Sequence, residues 1–177
     1  MHVDRVFVYW RRLLLFSILV LTSVIATAGA AQISAGPDKA EMRAKIGAII
    51  RERTKGAVIS VNGMRVETRI PPQPDAVKTI KGYGDEAVPV LADFSRSRNV
   101  RERQAAIEFL GLLGGKRIVA PLQKIIDSEA EPHLRILALR WITTAPDELS
   151  LPIIRASATH DANRQVREAA QSILNDH

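Results

Sequence analysis

A spacing of about 32 residues recurs along the second half of the chain and restricts what it can fold into. Self-similarity at a fixed period is the signature of repeat folds. A small and a large apolar residue four positions apart share a helix face, where the small one lets a neighbouring helix approach. One helix pair cannot bury such a face alone, so the pattern predicts stacked units. The matched residues are Ala106, Ala138 and Ala170 in one row and Leu110, Ile142 and Leu174 in the other.

A row of prolines marks a second helix in each unit. Pro89, Pro121 and Pro152 recur at nearly the same period, and an apolar residue follows each one. Proline is tolerated near the start of a helix, where N–H groups lack intrahelical partners anyway. Gly114 and Gly115 supply residues that end a helix and permit a tight turn. The predicted fold is all-α: a short α-solenoid of three helix pairs and a final unpaired helix.

The segments that carry these rows resemble HEAT repeats. DEAVPVL at Asp85–Leu91 and AAIEFLGLLGGKRIVAPL at Ala105–Leu122 are similar to the short variety named after phycobilin lyases. The third unit departs from this pattern, because Trp141–Thr144 stands where a leucine-glycine step is expected. The resemblance covers residues 75–177 and implies a binding scaffold, usually without catalysis.

Residues 1–30 have the composition of a secretory signal. Three arginines precede the 16-residue apolar run Leu13–Ala28, and small residues around its end offer an A-x-A cleavage site. The run is shorter than the roughly 20 residues that a spanning helix needs. We therefore expect cleavage and export, to a periplasm or to the exterior. If it is not cleaved, Leu13–Ala28 would anchor the protein in a membrane.

Composition excludes several kinds of chemistry and partner. The chain has no cysteine, which excludes a disulfide, a thiol nucleophile and a cysteine-ligated metal. Its net charge of +6 lies outside the repeats, since residues 71–177 hold fourteen basic and fourteen acidic residues. Binding to nucleic acid requires clustered basic residues. We therefore expect no nucleic-acid partner.

Residues 31–74 are predicted to form a small appendage before the repeat domain at 75–177. Its first part, residues 38–55, is predicted to form a basic helix with one apolar stripe. This helix either lies on an anionic membrane surface or packs on the repeats with its basic face in water. The short stripe, without interfacial Trp or Phe, favours packing. The stripe consists of Met42, Ile46, Ile49 and Ile50.

A β-hairpin is predicted next in this appendage. Asn62-Gly63 lies between two alternating runs, which is a strong signal for a two-residue turn. Such a turn places Val61 opposite Met64 and Ile59 opposite Val66. An isolated hairpin is marginal in water, so its apolar face must be covered by the helix, by the first repeat or by a partner strand.

No combination of residues indicates catalysis. His133 with Glu129 and Glu131 comes closest to a metal site, but this spacing in a turn does not converge ligands as a helical HExxH does. The serines and threonines lack a nucleophile elbow, and no glycine-rich loop follows a strand. We expect neither cofactor nor metal. A HEAT-like enzyme, by analogy with lyases and glycosylases, remains an alternative with Trp141 and Tyr83 as candidate pocket residues.

The sharpest polar pattern is an arginine row. Arg103, Arg135 and Arg167 recur with the same period as the apolar rows. In a solenoid, nearest-neighbour interfaces dominate stability. We therefore interpret these arginines as hydrogen-bonding between adjacent units, with Asp127 and Asp161 as partners, and keep a groove that grips acidic proteins as the alternative.

The second helices are the predicted partner surface, because they line the concave side in the folds that this chain resembles. Gln123, Lys124 and Arg155 lie on or beside the row three residues past each proline. The predicted function is an exported protein-binding scaffold or adaptor, with partner and oligomeric state left open. The alternative is a structural component of the envelope, tethered by Leu13–Ala28 or by the basic helix over 38–55.

Overall fold

The computed structural model describes residues 38–55, 57–61, 64–68 and 72–176. From Lys39 onward the chain forms one compact unit. Within the described ranges, no helix combines the length and the apolar character that crossing a bilayer requires. The predicted signal in residues 1–30, with its apolar run, lies outside them.

Helices form most of the described chain. The first helices of successive units contact one another, α4 with α6 and α6 with α8, and the second helices α5 and α7 also touch. This arrangement confirms the predicted helical-repeat solenoid. The helices are α1 (Lys39–Thr54), α2 (Pro74–Tyr83), α3 (Ala87–Phe94), α4 (Val100–Leu113), α5 (Val119–Ser128), α6 (Pro132–Ile142), α7 (Asp147–His160) and α8 (Arg164–Asn175).

The predicted apolar rows form the centre of the solenoid. The three alanines of the small row are completely buried, as are Leu110 and Ile142 in the large row. Leu174, at the next position of the large row, is half-buried. The rows therefore place α4, α6 and α8 at equivalent positions in successive units.

Thr144 lies in the turn of the third unit and bonds it to the preceding unit. The Thr144 hydroxyl donates to the carbonyl of Trp141 at 2.8 Å and lies 3.2 Å from the carbonyl of Gly111 in the preceding unit. The N–H of Gly115 donates to the Thr144 carbonyl at 3.1 Å. The departure from the repeat pattern therefore keeps the turn and bonds it to its neighbour.

The proline row does not hold the same place in every second helix. Pro89 and Pro121 are third residues of α3 and α5, as predicted for the first turn. Pro152 lies inside α7, because that helix begins at Asp147. The prediction of a proline in the first turn was wrong for this unit, because residues 147–149 belong to the α-helix, whereas the equivalent residues Gly84–Glu86 and Lys116–Ile118 form separate 3-10 turns.

Helix α1 packs on the repeats. Ile46 and Ile50 are completely buried, and Met42 is nearly so, in a helix that contacts α3 and α4. Arg43 Nη1 also donates to Asp93 Oδ2 of α3 at 2.8 Å. The basic helix therefore packs on the solenoid, because its apolar stripe is buried against the repeats.

Two short antiparallel strands follow α1. They are β1 (Ala57–Val61) and β2 (Met64–Thr68), paired with Val61 opposite Met64 and Ile59 opposite Val66. The turn residues Asn62 and Gly63 lie outside the described residues, as do the side chains of both strands. A covered hairpin appendage therefore stays a prediction.

Candidate functional site

Two of the three repeated arginines form the same bidentate ion pair. Nε and Nη2 of Arg103 donate to the two carboxylate oxygens of Glu129 at 2.8 and 3.1 Å. Nε and Nη2 of Arg135 donate to those of Asp161 at 2.9 and 2.8 Å. In each pair the carboxylate lies 26 residues after the arginine. We call these two arrangements the arginine clamps.

Each arginine in the row also binds the turn that precedes its own helix. Nη1 donates to two successive backbone carbonyls of that turn, the first one more closely. Each complete clamp thereby joins the turns before and after one repeat unit. The closer carbonyls belong to Ser97, Glu129 and Asp161, at 3.0, 2.7 and 2.6 Å from Nη1 of Arg103, Arg135 and Arg167 respectively.

The clamps are shielded from solvent. The side chains of Arg135 and Asp161 keep only 12% and 8% of their surface exposed, and the other pair is similar. Burial raises the pKa of Asp161, but hydrogen bonds from Arg135 and from the Asn163 N–H, with the charges of Arg135 and Arg167, lower it below its usual value. The folded state therefore favours the ionised carboxylate.

One predicted clamp partner was wrong. Arg103 pairs with Glu129 rather than with Asp127, which is exposed within the last turn of α5. Glu129 and Asp161 each directly follow the last residue of a second helix, and both have extended backbone there. The signal that would have found Glu129 is its separation from Arg103, which is the same as that between Arg135 and Asp161.

The residues predicted to bind a partner are exposed on the second helices. Gln123 and Lys124 are exposed on α5, and Arg155 is exposed on α7. Neither Lys124 nor Arg155 forms an ion pair with any residue that the structure describes. We define the second-helix surface as the exposed residues of α3, α5 and α7.

Two equivalent clefts separate the second helices. One of about 370 Å³ lies between α3 and α5 and is lined by Arg96, Pro121 and Lys124. The other, about 440 Å³, lies between α5 and α7 and is lined by Gln123 and His160. A complete arginine clamp lines each cleft, so the clefts recur with the repeat.

Candidate catalytic and metal-binding residues do not converge. His133 Nδ1 lies 3.7 Å from a Glu131 oxygen, and both side chains are about half exposed. Within the described ranges, no group of three or more His, Asp or Glu side chains is placed to hold a metal ion. Trp141 lies against Gly111 of α4, at 2.1 Å from where a Cβ on that glycine would stand. Its indole therefore serves packing between α4 and α6.

A buried ion pair was missed by reasoning from the sequence. Arg53 of α1 donates from Nε to Glu108 Oε2 of α4 at 3.0 Å, and both side chains are about nine-tenths buried. The signal was a glutamate within an otherwise apolar run of α4. The 32-residue spacing could not identify Arg53 as its partner, because α1 lies outside the repeats.

Comparison with known families supports the repeat assignment. Residues 88–175 match the family model for HEAT repeats. The match begins in α3 and ends at the last residue of α8, so this part of the chain consists of HEAT-like repeats. Searches of curated proteins and of solved structures each returned no match.

Proposed function

We propose, from the HEAT-like repeats at residues 88–175, that the protein is an exported, non-catalytic scaffold or adaptor that binds another protein. Stacked helical repeats create extended surfaces, and such surfaces generally serve protein–protein interaction. The finer similarity to repeats named after phycobilin lyases is part of the same proposal. Export rests on the sequence of residues 1–30.

The observation that carries the binding proposal is a pair of cations on the second-helix surface that form no ion pair within the described ranges. Lys124 and Arg155 are exposed, while the arginines of the clamps have their charges paired within the fold. Unpaired charges on a rigid surface steer and orient a partner of opposite charge. The same surface also exposes Asp127, Asp147 and Glu148, so we infer a partner that presents carboxylates opposite Lys124 and Arg155 rather than a surface that is acidic throughout.

Affinity capture from an envelope extract tests this proposal. Lys124→Glu and Arg155→Glu are expected to abolish capture of a specific protein without changing the circular dichroism spectrum. Arg140→Glu is the matched control, because Arg140 is an exposed cation on α6. Equal capture by all three variants would show that the second-helix surface does not bind.

Tethering through Leu13–Ala28 is the competing proposal for location. Intact-mass measurement on the protein recovered from cells determines whether this segment is removed. Recovery of shortened protein in the soluble periplasm supports export without an anchor. Recovery of full-length protein with the membrane fraction supports tethering instead.

A further inference from the structure

The two clefts between the second helices carry charges of opposite sign. Each complete arginine clamp pairs its own charges, so it adds no unpaired charge to the clefts. Apart from the clamp residues, the charged side chains that line the cleft between α3 and α5 are Arg96 and Lys124. The cleft between α5 and α7 has Asp127 instead, beside the imidazole of His160. We call the first the basic cleft and the second the acidic cleft.

Lys124 and Asp127 belong to the same helix but line different clefts. They are three residues apart on α5, a spacing at which opposite charges can form an ion pair along a helix. Neither side chain forms an ion pair, with the other or with any further residue in the described ranges. Both are exposed. α5 therefore presents an available cation on one flank and an available carboxylate on the other.

Arg96 and Lys124 lie at levels along the helix direction that bracket Asp127. Arg96 precedes Ser128 by 32 residues, so it holds in its own unit the position that Ser128 holds on α5. Ser128 directly follows Asp127, and Lys124 lies about 4.5 Å before Asp127 along the helix axis. A carboxylate that faces the basic cleft at the level of Asp127 can therefore reach Lys124. Arg96 already donates to Asp93, which leaves Lys124 as the principal cation.

A half-turn exchanges the two clefts. Two copies that meet through their second-helix surfaces, related by a two-fold axis parallel to α5, have the basic cleft of each opposite the acidic cleft of the other. This rotation leaves levels along the helix unchanged, so Lys124 of each copy faces Asp127 of the other. Such an interface is self-complementary, as a closed dimer requires. A two-fold axis across the helices would instead place like charges opposite each other, which disfavours that arrangement.

We propose that the second-helix surface also forms a homodimer of this chain, in which Lys124 and Asp127 of each copy pair with Asp127 and Lys124 of the other. The helices concerned are about 10 Å apart and about 15 Å long, so the contact measures about 30 by 15 Å on each copy. This is below the size of a permanent interface and is typical of a transient one. The dimer therefore forms and separates reversibly with concentration.

The homodimer goes beyond the scaffold function, because it covers the surface proposed for another protein. A second copy and a partner that both need Lys124 exclude each other. Self-association thus limits how much of the protein is open to its partner, and dilution releases it. Because the pairs form between exposed charges, salt also weakens the dimer.

Sedimentation equilibrium of the purified protein tests the homodimer at concentrations up to about 300 µM, where a contact of transient size is populated. Lys124→Glu is expected to weaken dimerisation by at least about tenfold, and so is Asp127→Lys, since each change turns two ion pairs per dimer into two contacts between like charges. Arg140→Glu is the matched control: it reverses an exposed cation on α6, outside the second-helix surface, and should leave dimerisation unchanged.

Mixing the two variants separates a direct contact between Lys124 and Asp127 from an indirect effect. In an equimolar mixture of Lys124→Glu chains and Asp127→Lys chains, every contact between unlike chains again joins opposite charges. We therefore expect the mixture to dimerise about as strongly as the natural protein, although each variant alone does not. The double variant Lys124→Glu/Asp127→Lys should also dimerise, because it exchanges both charges.

Three results would overturn the homodimer. They are a natural protein that stays monomeric, single variants that dimerise as the natural protein does, and folded variants whose mixture stays monomeric. Circular dichroism of each variant establishes folding, and the exposed positions of both residues favour it. The measurement contains this chain alone, so its outcome does not depend on whether any envelope protein is captured.

Discussion

The contact between Gly111 and Trp141 yields the sharpest prediction about the fold. A Cβ placed on Gly111 would stand 2.1, 2.3 and 2.4 Å from three indole atoms. Such distances are far inside van der Waals contact, so Gly111→Ala forces the ring of Trp141 to retreat by about 1 Å in a close-packed interface. The interface concerned holds α4 against α6, which are first helices of adjacent units.

Two opposing effects set the size of the change. Overpacking a well-filled interface costs about 1–3 kcal/mol. Alanine gains about 1 kcal/mol over glycine as a helix former. Because the indole is rigid and receives the clash on several atoms, we expect Gly111→Ala to lower the free energy of unfolding by about 1–2 kcal/mol.

Urea denaturation followed by circular dichroism measures this change in two backgrounds. With Trp141→Ala the clash is removed, so the added Gly111→Ala is expected to become stabilising, by up to about 1 kcal/mol. Gly82→Ala is the matched control, because Gly82 is helical and open space surrounds the site of its Cβ. A stabilising Gly111→Ala in the natural background would refute the described contact between α4 and α6.

Three further predictions concern the core and the clamps. Leu110→Asp, at a completely buried site, is expected to cost at least about 4 kcal/mol and unfold the solenoid by thermal scan, whereas Leu149→Asp, at an exposed site, leaves the melting curve unchanged. Arg135→Ala is expected to cost about 3 kcal/mol in urea denaturation by leaving Asp161 unpaired; exposed Arg164→Ala should have no effect. The depressed pKa of Asp161 contributes stability that is present above its unfolded value of about 3.9 and is lost as pH falls through the folded value. Below about pH 4, the free energy of unfolding of the Asp161→Asn variant should therefore fall less steeply with decreasing pH than that of the natural protein.

Periodic features of this chain could be predicted from the sequence alone. The rows that contain Ala106 and Leu110 identified the buried faces of α4, α6 and α8, because burial follows helical periodicity. The arginine row likewise indicated which side chains join the units. Each of these signals is present several times, so chance agreement at one position matters little.

Features that occur once, or that depend on tertiary geometry, could not be predicted. Thr144 bonds the turn of its unit to the preceding unit, because its hydroxyl reaches the Gly111 carbonyl and its own carbonyl accepts from the Gly115 N–H, which no local pattern shows. Arg53 and Glu108 are 55 residues apart, and their pairing depends on how α1 crosses α4. Pro152 lies inside α7 because residues 147–149 are α-helical there, whereas the equivalent residues of the two preceding units form 3-10 turns, a difference that the spacing of the prolines does not show.

The central claim is that this repeat module binds a protein through its second-helix surface. The most direct measurement is photo-cross-linking in cells, with the reactive residue at position 123 in one variant and at 140 in another. Gln123 lies on the second-helix surface and Arg140 on the row of first helices. The account predicts one protein joined specifically at position 123 and not at 140. Adducts only from position 140, or none from 123 while the protein is folded, would contradict it.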